Sequence, residues 1–218
     1  VHEISQPLAA LEASIAAAEL GLNQQDAPTA KRLDKARGLI RRMQRTTKHL
    51  KSFARKETAE RSLIDLCAPV RSAIDLVEPR ARAMGVVPTF HAPEGRFEVM
   101  AGVIRIEQVV VNLLLNALDA VAETPDAQIR VTLTAEDGQA RLCIADTGIG
   151  IQEEDLPKVT EPFFSTKLTG ENLGLGLAIC KAILSDFKGT LDIGAGPDRG
   201  TQVLVTLPMA LDKTAQVA

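Results

Sequence analysis

The sequence predicts an all-α helical hairpin followed by an α+β domain, and three observations carry that prediction. Apolar side chains at Ile4, Leu8, Leu11, Ile15, Ala18 and Leu22 recur at gaps of 4, 3, 4, 3 and 4, the seam of a coiled-coil-type helix. The pattern returns over residues 30–56, at Leu33, Ala36, Ile40, Met43, Thr47, Leu50 and Ala54, and stops around Glu57–Ser62. From Leu63 onward, short apolar runs joined by hairpin turns alternate with longer helical runs.

Between the two seams, Asn23–Pro28 is a polar break, and Thr29 is placed to cap the second helix. A hairpin this thin buries too little surface alone. Pairing with a second copy into a four-helix bundle solves that, so residues 1–58 are expected to form a homodimerisation unit. The second helix carries eleven lysines and arginines, from Lys31 to Lys56, against one acid, Asp34. A solvated face explains this; so does a docking surface for an acidic partner or nucleotide phosphates. No DNA-recognition motif accompanies the charge.

The second domain is expected over residues 63–208. Leu63–Leu66 reads as a strand, and Ala68–Met84 as an amphipathic helix ended by Gly85. Val86–Phe90 and Phe97–Met100 read as short strands, and Val103–Val121 as a long buried helix. Ile129–Ala135 and Arg141–Asp146 are strands joined by the turn Glu136–Gly138. A polar stretch, Thr147–Leu173, precedes a helix over Leu175–Phe187. Strands at Thr190–Ile193 and Gln202–Leu207 then flank a glycine-rich hairpin. The expected result is a mixed sheet covered on one face by three helices, with residues 209–218 as a frayed tail.

Composition narrows the function. Of 218 residues 45% are hydrophobic, which suits a real core. Aromatics make up 3%, with no Trp or Tyr, which argues against stacking on nucleic-acid bases. Cys67, Cys143 and Cys180 are odd in number, widely spaced and without a CxxC, and read as reduced core residues of a cytoplasmic protein. No window reaches the ~18 uninterrupted apolar residues of a membrane span. No signal peptide is expected from the sequence. A helical pattern already runs at Val1 without an initiator Met, so the chain is expected to be a fragment, with any membrane attachment in a missing N-terminal region.

The chemistry centres on Asp146–Ile151. The alternation Leu142, Ile144, Asp146 delivers a carboxylate to a strand end, and Gly148 and Gly150 let the backbone turn tightly beside a flat ligand. Such a carboxylate can accept from an exocyclic amino group, which adenine offers at that edge and guanine does not; by itself, an ordinary turn also explains the motif. Asn112 and Asn116 lie four apart on an otherwise apolar helix, and buried amides cost free energy unless partnered. Backbone neighbours could satisfy them; alternatively their neutral carbonyl oxygens suit a Mg²⁺ held mostly by water and triphosphate.

Gly174 and Gly176 open a helix and form a nest of N–H groups suited to phosphate, with Lys167 able to add a point charge. Phe163 and Phe164 are expected to pack as core, anchoring a lid within the 27 residues Thr147–Leu173. Neither GxxxxGK[ST] nor a GxGxxG after a strand occurs, which excludes a P-loop or Rossmann site. At the other end, the seam through Ile4 and Leu8 turns His2 outward. Glu3 is adjacent, Gln6 sits one turn on, and Pro7 breaks the helix at a cost of ~3 kcal/mol. An exposed imidazole beside an acid is a competent nucleophile.

Taken together these motifs resemble the two-component sensor histidine kinases. His2–Leu8 looks like their H box, Asn112–Asn116 their N box, Asp146–Gly150 their G1 box, Glu161–Lys167 their F box and Gly174–Leu177 their G2 box. All five occur in family order across essentially the whole chain. The wording around His2 and the lid is similar to the nitrogen-regulation, C4-dicarboxylate-sensing and oxygen-sensing members. The resemblance implies a dimerisation and phosphotransfer hairpin joined to a Bergerat-type ATP-binding sandwich.

By that resemblance His2 is the phosphoacceptor for the γ-phosphate of ATP, and Glu3 manages its proton. Asn116 with Asn112 holds Mg²⁺, and Asp146 reads the adenine amino group. Gly148, Gly150, Gly174 and Gly176 shape the pocket, Lys167 meets phosphate, and Thr201 helps at the adenine through water. The phosphoryl group then passes to an aspartate of a response regulator, and Gln6 orients water when that regulator is dephosphorylated. Two alternatives stand beside this reading. Gyrase, Hsp90 and mismatch-repair ATPases resemble the chain only after residue 63 and carry a Glu base where Asn112 stands. A degenerate dimeric module could also bind a regulator without turnover.

Overall fold

The computed structural model describes residues 61–164, 174–197 and 199–210, and in the first segment Leu11, Ala13, Ile15, Thr29, Leu33, Ala36, Arg37, Gly38 and Ile40. The chain divides into two compact units, one holding residues 1–56 and the other residues 57–166 and 174–218. All nine described positions of the first unit are helical. Of its seam residues, Ile40 is buried and Leu11 is exposed. Thr29, expected as a cap, already lies within a helix. Pro7, the polar break at 23–28 and every lysine and arginine of the second helix except Arg37 lie outside the described residues.

The second unit runs β1 (Ser62–Asp65), α1 (Cys67–Ala83), β2 (Thr89–His91), β3 (Glu98–Ala101), α2 (Val103–Val121), β4 (Ile129–Glu136), β5 (Gln139–Asp146), α3 (Gly176–Asp186), β6 (Thr190–Ala195) and β7 (Thr201–Pro208). A five-stranded sheet has the order β2-β4-β5-β7-β6, with β2 parallel to β4 and every other neighbour antiparallel. The expected single mixed sheet is corrected in one respect: β1 and β3 pair with each other in a separate antiparallel ribbon. Ile64, Val99 and Ala101 turn inward from that ribbon, and Leu63 and Met100, opposite each other, stay exposed.

Local chemistry explains the element ends. Asp65 Oδ1 accepts the N–H groups of Cys67 (3.1 Å) and Phe97 (3.2 Å), which starts α1 and ties it to the approach to β3. Gly85, at φ +69, ends the helix while Val86 N–H bonds back to Ala81. Asp137 and Gly138 both take positive φ, the two-residue turn that a twisted hairpin requires between β4 and β5. Met209 and Ala210, expected to begin a frayed tail, are instead tied to β3: Met209 bridges Val99, and Ala210 N–H bonds to Glu98 O at 2.8 Å. Strand β7 simply runs past the sheet onto the ribbon.

The core lies between the sheet and the helices. Alternate residues Ala140, Leu142 and Ile144 of β5, Ile129, Val131 and Leu133 of β4, and Val205 and Leu207 of β7 are buried. Helix α2 meets them with Ile106, Val109, Val110, Leu113, Leu114, Ala117, Leu118 and Val121, a broad stripe at gaps of three and one. It packs on α1, α3 and β5. Of the cysteines, only Cys180 is a core residue; Cys67 and Cys143 are half-buried, because each sits where its element faces outward, and all three are free. Among the described residues no helix is long and apolar enough to cross a membrane. Leu118 is fully buried under the sheet, so Leu118→Ala is expected to cost about 2–5 kcal/mol of stability, read as a lower midpoint in urea unfolding.

Candidate functional site

The alternation that buries β5 also positions its last residue. Ala140, Leu142, Ile144 and Asp146 share one face, so the carboxylate ends an apolar series and points towards the helices rather than to solvent. It is 6% exposed. Such a group needs hydrogen bonds. Oδ1 accepts the Gly148 N–H at 2.9 Å and the Thr201 N–H, at the start of β7, at 3.2 Å. Thr201 is itself buried.

The turn that follows packs onto the end of α2. Ile149 N–H bonds to Ala120 O at 3.1 Å, while Thr147 exchanges bonds with Gln128 through its N–H and Oγ1. A Cβ at Gly148 would lie 2.4 Å from Ala120 O, a contact no side chain can make. Gly150 takes φ +74, and a Cβ there would stand 3.4 Å from Gly200 O. Both glycines of the motif therefore have steric reasons.

Helices α2 and α3 pack with opposite directions along this site. Cys180 Sγ donates to Val109 O at 3.8 Å near one end, and a Cβ on Gly176 would sit 3.9 Å from Asn116 Nδ2 near the other. Asn116 thus stands beside the N-terminus of α3. Among the described residues that terminus has no side-chain cap, and its first turn carries no acid, so the start of α3 suits an anionic acceptor. Gly174 takes φ +65, and a Cβ there would meet Phe164 O at 2.1 Å. Gly176 meets only ordinary contact, so no described neighbour forbids a side chain at that position.

Asn112 Nδ2 is buried and makes no well-formed hydrogen bond to oxygen or nitrogen among the described residues; its one polar neighbour there is the Cys180 thiol, a weak acceptor. Two amide side chains on one helix face supply neutral oxygen donors, and no cluster of three or more His, Cys, Asp or Glu able to hold a metal occurs among the described residues. That donor set fits a hydrated Mg²⁺ held mainly by phosphate and fits poorly a metal needing a full protein cage.

The loop after β5 corrects one expectation. Phe163 does not pack as core: it takes φ +70 and its ring is 65% exposed. Its N–H is pinned to Gly174 O at 3.1 Å, and Gly174 lies under the Phe164 carbonyl, so the backbone turns and the ring faces out. Phe164 is half-buried, and the buried anchor of this loop is Val159. His2, Glu3, Gln6 and Lys167 lie outside the described residues.

Asp146, Gly148, Gly150 and Thr201 are therefore brought together, and Asn116 and Gly176 meet across α2 and α3. Gly200 was missed, although it follows Pro197-Asp-Arg199 directly before the strand that meets Asp146; a turn composition alone does not reveal what the turn covers.

Residues 101–211 match the family described as histidine kinase-, DNA gyrase B- and HSP90-like ATPase. The chain belongs to that family. It is 36% identical over 208 residues to the C4-dicarboxylate transport sensor protein DctB of Pseudomonas aeruginosa, covering 94% of this chain and 34% of that protein. It is 30% identical over 214 residues to the sensor protein FixL of Bradyrhizobium diazoefficiens, covering 96% and 42%. The chain thus spans about a third of the length of the DctB relative.

Among solved structures, the nucleotide-free catalytic domain of the histidine kinase ThkA is similar at TM-score 0.62 and 29% identity, covering 68% of this chain and 95% of that one. ThkA in complex with the response regulator TrrA gives TM-score 0.70 and 25% identity, covering 97% and 60%. The resemblance to sensor histidine kinases carried by the five motifs is borne out, as is the α+β ATP-binding sandwich.

Burial pushes the Cys180 thiol up from its ordinary 9.0 to about 12, against smaller opposing contributions from Asn112 and a backbone hydrogen bond. Below about pH 9 this thiol costs the folded state nothing. As pH rises from there towards 12, the unfolded chain releases a proton that the folded chain keeps, and stability falls. Urea unfolding at successive pH values is expected to show a shallower fall in Cys180→Ala than in the wild type; equal slopes would contradict the burial of this thiol.

Proposed function

We propose that this chain is the catalytic core of an ATP-dependent protein-histidine kinase in two-component signalling, the cytosolic part of a larger sensor. The observation that carries the reading is the Asp146 carboxylate, held by the Gly148 and Thr201 N–H groups at the inner end of β5. Such an acceptor, with a glycine-opened helix start and two amides close by, suits an aminopurine triphosphate. Residues 1–58 would form the dimerisation hairpin carrying His2, and residues 63–208 the ATP-binding domain.

In this reading Asp146 accepts from the adenine amino group, and Thr201 assists through water. The N–H groups opened by Gly174 and Gly176, with Lys167, receive the phosphates. Gly148 and Gly150 keep the backbone close to the base. Mg²⁺, when bound through Asn116 and Asn112, would neutralise charge on the triphosphate. The His2 imidazole attacks the γ-phosphorus while Glu3 takes up its proton; the bond to the bridging oxygen breaks, and ADP leaves. The phosphoryl group then passes from His2 to an aspartate of a response regulator. Gln6 would orient water for the reverse task of dephosphorylating that regulator.

Incubation with Mg·ATP labelled at the γ position tests the chemistry. Acid-labile, alkali-stable label on the wild type, lost in His2→Ala and in Asn116→Ala, is the expected outcome. Phosphate release without labelled protein, surviving His2→Ala, would overturn it. Asp146→Asn is expected to weaken ATP binding by about tenfold or more, since a hydrogen bond to a charged group contributes roughly 1.5–3 kcal/mol. Unchanged affinity in a calorimetric titration would refute the adenine assignment.

A further inference from the structure

Gly200 touches more of the base-reading corner than its place in a hairpin requires. Its φ is +78, and a Cβ built on it would lie 2.2 Å from Asp146 O, 2.7 Å from Asp146 Oδ1 and 2.7 Å from Gly148 N. Those last two atoms are the acceptor and donor of the 2.9 Å bond that holds the carboxylate. The carbonyl of Gly200 faces Gly150 and also accepts the Gly196 N–H at 3.0 Å. Next to it, the exposed Arg199 donates through Nη2 to Pro125 O at 3.0 Å, fastening the β6–β7 turn to the loop between α2 and β4. Thr201, which follows directly, gives the carboxylate its second N–H.

We infer that Gly200 is a positioning residue that sets the Asp146 carboxylate for selection of a purine bearing an amino group, so that the β6–β7 turn is a determinant of nucleotide specificity. The physical reason is steric. Any side chain at residue 200 occupies the space closing the Asp146–Gly148 hydrogen-bonded ring, so either β7 retreats with the Thr201 N–H or the carboxylate swings away. Both movements misplace the acceptor without removing it. The inference rests on the reading of Asp146 as the group that meets the adenine amino group.

Calorimetric titration with Mg·ADP and with purine riboside 5′-diphosphate, which lacks the amino group, tests it without phosphoryl transfer. The wild type is expected to prefer ADP by about tenfold or more, and Asp146→Ala to abolish that preference. Gly200→Ala is expected to abolish it too, while its affinity for the purine riboside compound stays within about threefold of the wild type. Gly138→Ala is the control: Gly138 has a similar φ of +72 and open space, at the opposite end of β5 from Asp146. It is expected to lose thermal stability and keep both affinities.

Should Gly200→Ala fail to fold, Arg199→Ala, which only unfastens the turn, decides. A preference reduced severalfold supports the inference, and an unchanged one overturns it. A folded Gly200→Ala that keeps the full preference overturns the inference and leaves the adenine reading standing. A wild type without preference, or an Asp146→Ala that retains it, overturns both.

Discussion

One buried carboxylate organises the second unit. Asp146 ends the inward face of β5, where an unsatisfied charged group would be costly, and its Oδ1 is satisfied by N–H groups from the turn just after it and from the strand beside it. That pair of bonds locks the end of β5, the Thr147–Gly150 turn and the start of β7 into one arrangement. The turn in turn leans on the last residues of α2, where the Ala120 carbonyl takes the Ile149 N–H and leaves Gly148 no room for a side chain. The Asp146 carboxylate is thus held by backbone N–H groups from the turn and from the neighbouring strand, which keeps its direction independent of flexible side chains.

The helices show the complementary tension. The apolar stripe of α2 is wide enough to hold the domain together, yet Asn112 and Asn116 interrupt its border, and among the described residues the buried Asn112 amide nitrogen finds only the weak Cys180 thiol acceptor. Leucine at either position would pack better by ordinary transfer arguments. Retaining amides in a core helix is the pattern expected where local stability yields to a binding task. The neighbouring start of α3, opened by glycine and without a side-chain cap among the described residues, has the same character.

Much of this was legible in the amino acids, for reasons that are local. The ends of α2 were readable because Gly102 precedes and Glu123–Pro125 follows a long run with helical spacing. The inward direction of Asp146 was readable because strand alternation leaves no choice once Leu142 and Ile144 are buried. What escaped depended on distant partners. Nothing near β1 or β3 says that they pair with each other instead of joining the main sheet, and nothing near Met209 says that Val99 waits for it. Phe163 looked like an anchor because aromatic side chains usually bury; the bond from its N–H to Gly174, eleven residues on, turns the ring outward instead. Gly200 escaped for the same reason, since its constraint comes from an aspartate fifty-four residues earlier.

The taper of the five-stranded sheet has a consequence of its own. Its central strands β4, β5 and β7 are eight residues each, while the rims are β2, of three residues, and β6, of six with Gly194 inside it. A rim that short presents few free backbone groups to a stranger, and glycine weakens whatever strand would form against it. Crowded neighbours of the same kind therefore find little to stitch onto sideways at β2, and on β6 the exposed Asp192 adds a charge to the rim.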